Sequence, residues 1–179
     1  MSKSGLKGLS KTLRSKKVAL FVEKVSVQMI IVGLIFLIFG INTYTILANT
    51  LIAYISEIVW YTHPKTREKE GYSMMVAGLF TLTFAALANN LLIGLILKSF
   101  GLLLLIVGSV RTVWKVSAHM AGTSFVFTIA SLLGNGLLAV STLAALPLVG
   151  WSRLKLKRHT FSQVIVGSIL GLVIPVLLL

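Results

Sequence analysis

The residues best equipped for chemistry lie in one polar stretch near the C-terminal end of an otherwise strongly apolar chain. In Trp151-Ser152-Arg153-Leu154-Lys155-Leu156-Lys157-Arg158-His159-Thr160-Phe161-Ser162-Gln163, a serine and an arginine stand seven and six residues ahead of a histidine, and an apolar run follows. Upstream, Lys115-Val116-Ser117-Ala118-His119 repeats the arrangement at the mouth of another apolar segment. Two histidines, two serines and several cations at helix mouths are what phosphoryl transfer at a membrane surface requires. One imidazole can attack phosphorus, a second can protonate the leaving oxygen, and fixed cations can hold the phosphate charge.

Positioning these groups falls to a membrane bundle. Hydrophobic residues make up 56% of the chain, and apolar runs of about 17–25 residues are candidates to span a bilayer. Residues 1–24 form a basic cytoplasmic segment rather than a secretory leader, and 25–179 form the transmembrane domain. Apolar runs cover 25–42, 44–61, 72–88, 91–110, 117–133, 137–150 and 160–179, so an all-α, polytopic bundle of about six to seven transmembrane helices is expected. Asn42-Thr43, Asn89-Asn90 and Gly134-Asn135-Gly136 separate paired runs, the last a strong turn signal. Three hairpins and a final span bring the N-terminus, 62–71, 111–116 and 151–159 to one end. These segments carry every Lys and Arg except Lys98, which reads as snorkelling to the opposite interface. Such a bias places their end in the cytoplasm.

The net charge of +13 comes from 17 Lys and Arg against four acidic residues. In a membrane chain these basic flanks point to anionic lipid headgroups as partners and not to nucleic acid. Cysteine is absent, and the three histidines and the acids have no metal-ligand spacing, so no metal or other cofactor is expected.

The pattern resembles the type 2 phosphatidic acid phosphatase superfamily, the metal-independent lipid phosphate and polyprenyl diphosphate phosphatases. Ser152, Arg153 and His159 match its Ser-Arg-x5-His motif, with Gln163 where the family usually has Asp. The run His159-Thr160-Phe161-Ser162-Gln163-Val164, followed by Gly167, is similar to the dolichyl-diphosphatase branch, where glutamine is usual at that place. Ser117 and His119 match part of Pro-Ser-Gly-His, and Lys65, Arg67 and Lys69 are the residues available for the Lys and Arg-Pro motif.

The resemblance implies that His159 is the nucleophile forming a phosphohistidine, that His119 protonates the leaving oxygen, and that Arg153 binds phosphate. Ser117, Ser152, Lys115, Lys65, Arg67 and Lys69 would complete the substrate site. Gln163, one helical turn beyond His159, could accept the imidazole N–H and fix its tautomer, with Glu57 as the other candidate. Glu57 is an acid inside a span, and His63 reads as a loop residue. The run Met120-Ala121-Gly122-Thr123-Ser124 reads as close helix packing. The expected function is hydrolysis of a lipid phosphate or polyprenyl diphosphate at the cytoplasmic leaflet. The alternative is a catalytically impaired relative that binds or moves anionic lipids.

Overall fold

The computed structural model describes residues 15–22 and 67–179, and all of its regular structure there is helical. A short helix, α1, occupies 15–22. It is followed by α2 (Arg67–Ala86), α3 (Leu91–Val113), α4 (Ala118–Leu132), α5 (Gly136–Lys155) and α6 (Phe161–Leu178). The expected runs 25–42 and 44–61 lie outside the described residues.

Three helices, α3, α5 and α6, are long and apolar enough to cross a membrane, while α4 is apolar but only 15 residues long. The first turn of α2 carries Arg67, Glu68, Lys69 and Glu70, and α2 stands outside that set. Outward-facing side chains are themselves apolar: Val140 is 67% and Leu177 76% exposed, which fits a lipid surround and not water. This is a helical membrane protein.

Of the three expected breaks, Asn42-Thr43 lies outside the described residues and the other two are sharp helix boundaries. Asn90 caps α3 by accepting from the Ile93 N–H at 3.1 Å, and Asn135 caps α5 by accepting from the Leu138 N–H at 3.2 Å. Gly134, with φ of 69°, makes the left-handed turn between α4 and α5.

Other boundaries differ from the sequence expectation. The helix α2 starts inside the stretch read as a loop, α3 runs on through Arg111, and α5 continues to Lys155. In each case charged residues extend the apolar span because they complement the helix ends: Glu68 and Glu70 at the start of α2, Arg111 at the end of α3, Arg153 and Lys155 at the end of α5.

Helix α4 packs against α5 and α6, α6 also meets α3, and α2 lies along α3. Phe125, Ile96, Leu103, Val107, Ile129 and Ile174 form the core between α3, α4 and α6. Close approach rests on glycine. A Cβ on Gly71 would stand 2.7 Å from the Gly108 carbonyl oxygen, and one on Gly78 2.8 Å from that of Gly101, so α2 and α3 meet backbone to backbone.

The link 114–117 is extended and turns inward, with Val116 and Ser117 fully buried. Helix α4 is about 22 Å long, shorter than the roughly 30 Å hydrocarbon layer.

Candidate functional site

One end of the bundle collects the start of α2, the end of α3, the start of α4, the end of α5 and the start of α6. The Ser-Arg-x5-His spacing has a local structural meaning here. Helix α5 closes with the Arg158 N–H donating to the Arg153 carbonyl and the Lys157 N–H to the Leu154 carbonyl, both at 3.0 Å, while Lys157 takes a φ of 53°. This is a Schellman closure with lysine at the left-handed position where glycine is usual. It folds the chain back just past Arg153 and delivers His159 to the bundle.

His159 is 8% exposed, and its Nδ1 lies 3.1 Å from the Lys115 carbonyl oxygen. A carbonyl only accepts, so Nδ1 carries the proton and Nε2 keeps its lone pair. The Lys115 carbonyl can serve because the extended link takes it out of the helical hydrogen-bond ladder. Burial lowers the His159 pKa to about 4, helped by the positive charges of Arg111, Arg153 and Lys115 and opposed by the bond to Lys115. The ring is therefore neutral at pH 7.

Opposite it, Ser117 is the N-cap residue of α4. Its N–H donates to the Gln163 carbonyl at 3.1 Å, and its buried hydroxyl has no hydrogen-bond partner among the described residues. This contact needs Gly167, because a Cβ there would fall on the Ser117 carbonyl oxygen. Gly171 similarly admits α4 one turn further on, where a Cβ would stand 2.8 Å from that of Ser124. The small-residue run after His119 is thus packing surface, as expected. His119, in the first turn of α4, lies within electrostatic reach of Arg153, Arg111 and His159. Arg153 is 2% exposed, and Lys115 is half-buried.

The structure alters several sequence expectations. Gln163 does not orient His159: its Oε1 accepts from the Thr160 N–H at 3.0 Å and so caps α6. Orientation comes instead from the Lys115 backbone, which no side-chain motif could signal. Ser152 sits in the last turn of α5 and not at a helix mouth. Its hydroxyl donates to the Ala19 carbonyl at 2.8 Å, tying α1 to the site's floor. Lys69 is exposed on the first turn of α2 and is not among the cations acting on His159. Lys65, the side chain of Arg67, Glu57 and His63 lie outside the described residues. Lys155, Lys157 and Arg158 are exposed around the rim.

One group was missed. Arg111, 6% exposed in the last turn of α3, donates through Nε to Glu70 Oε2 at 3.0 Å. Its Nη2 reaches the same oxygen, and Nη1 lies 3.5 Å from the Val116 carbonyl. The only sequence signal was an arginine ending one arm of a hairpin whose other arm begins with an acid.

Among the described residues no group of three or more His, Cys, Asp or Glu could hold a metal ion. The described residues define a helical membrane protein that gathers two histidines and two buried arginines at one end of its bundle. No family model, curated protein or solved structure matches the chain.

Proposed function

We propose that this chain is a multi-pass membrane phosphatase hydrolysing a lipid phosphate or polyprenyl diphosphate through a phosphohistidine, with its site at the cytoplasmic face. The observation that carries the reading is His159: its Nδ1 proton is committed to the Lys115 carbonyl, its Nε2 lone pair is free, and the ring is neutral and flanked by buried cations.

The substrate's tail stays in lipid while its phosphate enters the recess below the rim lysines. Nε2 of His159 attacks phosphorus and the bond to the leaving oxygen breaks. His119, which enters the step as the imidazolium paired with the bound phosphate charge, gives that oxygen its proton. Arg153 and the N-terminus of α4, with the Ser117 hydroxyl, which has no partner among the described residues, hold the phosphate oxygens. Water then attacks the phosphohistidine, its proton passes to His119, and inorganic phosphate leaves with both histidines restored.

Phosphate release from a panel of lipid phosphates and prenyl diphosphates, by purified protein in detergent with excess EDTA, tests this. Turnover of at least one substrate in chelator is expected. Absence of turnover across the panel, with retained binding of anionic lipid, assigns the chain instead to binding or moving such lipids. Turnover that returns only with added metal ion excludes the phosphohistidine route.

A further inference from the structure

Resting on that reading, we infer that Arg111 is a second phosphate-binding guanidinium of this site, held in place by Glu70 and presented beside Arg153. The sequence sought a second cationic clamp at 65–69, yet Lys69 is exposed on the first turn of α2. Arg111 instead is 6% exposed and lies within electrostatic reach of both histidines. A guanidinium in such a place is costly unless it is paired. Glu70 meets that cost through one carboxylate oxygen, which receives both Nε and Nη2.

Such a grip uses one edge of the guanidinium. The other edge, at Nη1, faces the 114–117 link, where its nearest protein acceptor is the Val116 carbonyl at a marginal 3.5 Å. The link therefore runs from this weakly engaged edge to the Ser117 hydroxyl, which is fully buried and has no partner among the described residues. A phosphate oxygen at the start of α4 would give that edge a closer acceptor and the Ser117 hydroxyl a partner. Glu70 is then a positioning residue: it fixes the fork and touches no substrate. The charged groups facing His159 across this recess are Arg111 from α3, Lys115 from the link, Arg153 from α5 and, when protonated, His119 from α4.

Inorganic phosphate is the probe, and the readout is acylation of His159 by diethyl pyrocarbonate, resolved by peptide mass spectrometry on the full chain in detergent at pH 8. Phosphate should protect His159 in the wild type. In Arg111→Gln and in Arg153→Gln the concentration giving half protection should rise at least tenfold. In Glu70→Gln it should rise severalfold, because the fork is unanchored while its charge remains. Without phosphate, His159 should react within about twofold of the wild-type rate in all three, showing that the recess is intact. Should Arg111→Gln fail to fold, Arg111→Lys decides: it keeps the charge but loses the planar fork, and protection should still weaken. Wild-type protection in every folded Arg111 variant, with loss in Arg153→Gln, overturns the inference and leaves the phosphatase reading standing. No protection in the wild type overturns both.

Discussion

The ionisation of His159 gives the sharpest test of the site's electrostatics. A free histidine titrates near 6.5, whereas burial and three cations hold this ring at about 4. At pH 5 a ring with pKa 4 is about nine-tenths neutral, and one with pKa 6.5 only about 3% neutral, a ratio of roughly thirty. Only the neutral ring is acylated by diethyl pyrocarbonate, so the pH dependence of the His159 rate, corrected for reagent hydrolysis, reports the pKa without any substrate. The rate should stay near its plateau down to pH 5 and reach half only near 4, while a histidine in the denatured chain loses half its reactivity near 6.5. The linkage has a definite sign. Between about 6.5 and 4 the unfolded chain binds a proton that the native ring does not, so this group makes the fold less stable as pH falls through that window. Half-maximal acylation between pH 6 and 7 in the folded protein would refute the argument that burial and the neighbouring cations hold this ring neutral.

Replacing His159 by alanine should abolish phosphate release and any acid-labile, base-stable phosphate on the protein, while the helical circular dichroism stays unchanged. Gln163→Leu removes a cap and not a catalytic contact; it should cost about 1 kcal/mol of stability, read as a lower unfolding midpoint, with turnover reduced less than tenfold. Lys157→Gly should raise thermal stability by about 1 kcal/mol, because glycine takes the left-handed conformation without the steric cost lysine bears. Cysteines placed at Asn135 and at Lys155 should be labelled from opposite sides of the membrane by an impermeant reagent, and labelling of both from one side breaks the hairpin arrangement.

Much of the framework was legible because its determinants are local. Asn90 and Asn135 are caps whose side chains bond three residues ahead, and Gly134 takes a backbone angle that glycine favours. Residue type and spacing singled out His119, Arg153 and His159, which lie within electrostatic reach of one another. What escaped depended on partners far along the chain. Arg111 owes its burial to Glu70, and Ser152 gave its hydroxyl to Ala19, a residue with no polar side chain to announce the bond. Gln163 misled for a different reason: at one helical turn from His159, its spacing fits both an orienting contact and a capping role. Its amide oxygen takes the backbone N–H of Thr160. Helix ends were misplaced wherever charge was taken as a stop, although charges of the right sign extend a helix past its apolar run.

The bond between Ser152 and Ala19 has a consequence for the order in which the protein is made. Chains emerge from the ribosome N-terminus first, and earlier segments begin to settle before later ones exist. The Ser152 hydroxyl of α5 can reach the Ala19 carbonyl of α1 only after 133 further residues have been made. His159 and its backbone anchor at Lys115 are likewise separated in time, and Ser117 gains its Gln163 acceptor only as α6 seats. A nascent chain stalled before α6 thus carries Arg153 and His119 without an oriented imidazole. The two-histidine cluster is therefore complete only once α6 has seated against α4.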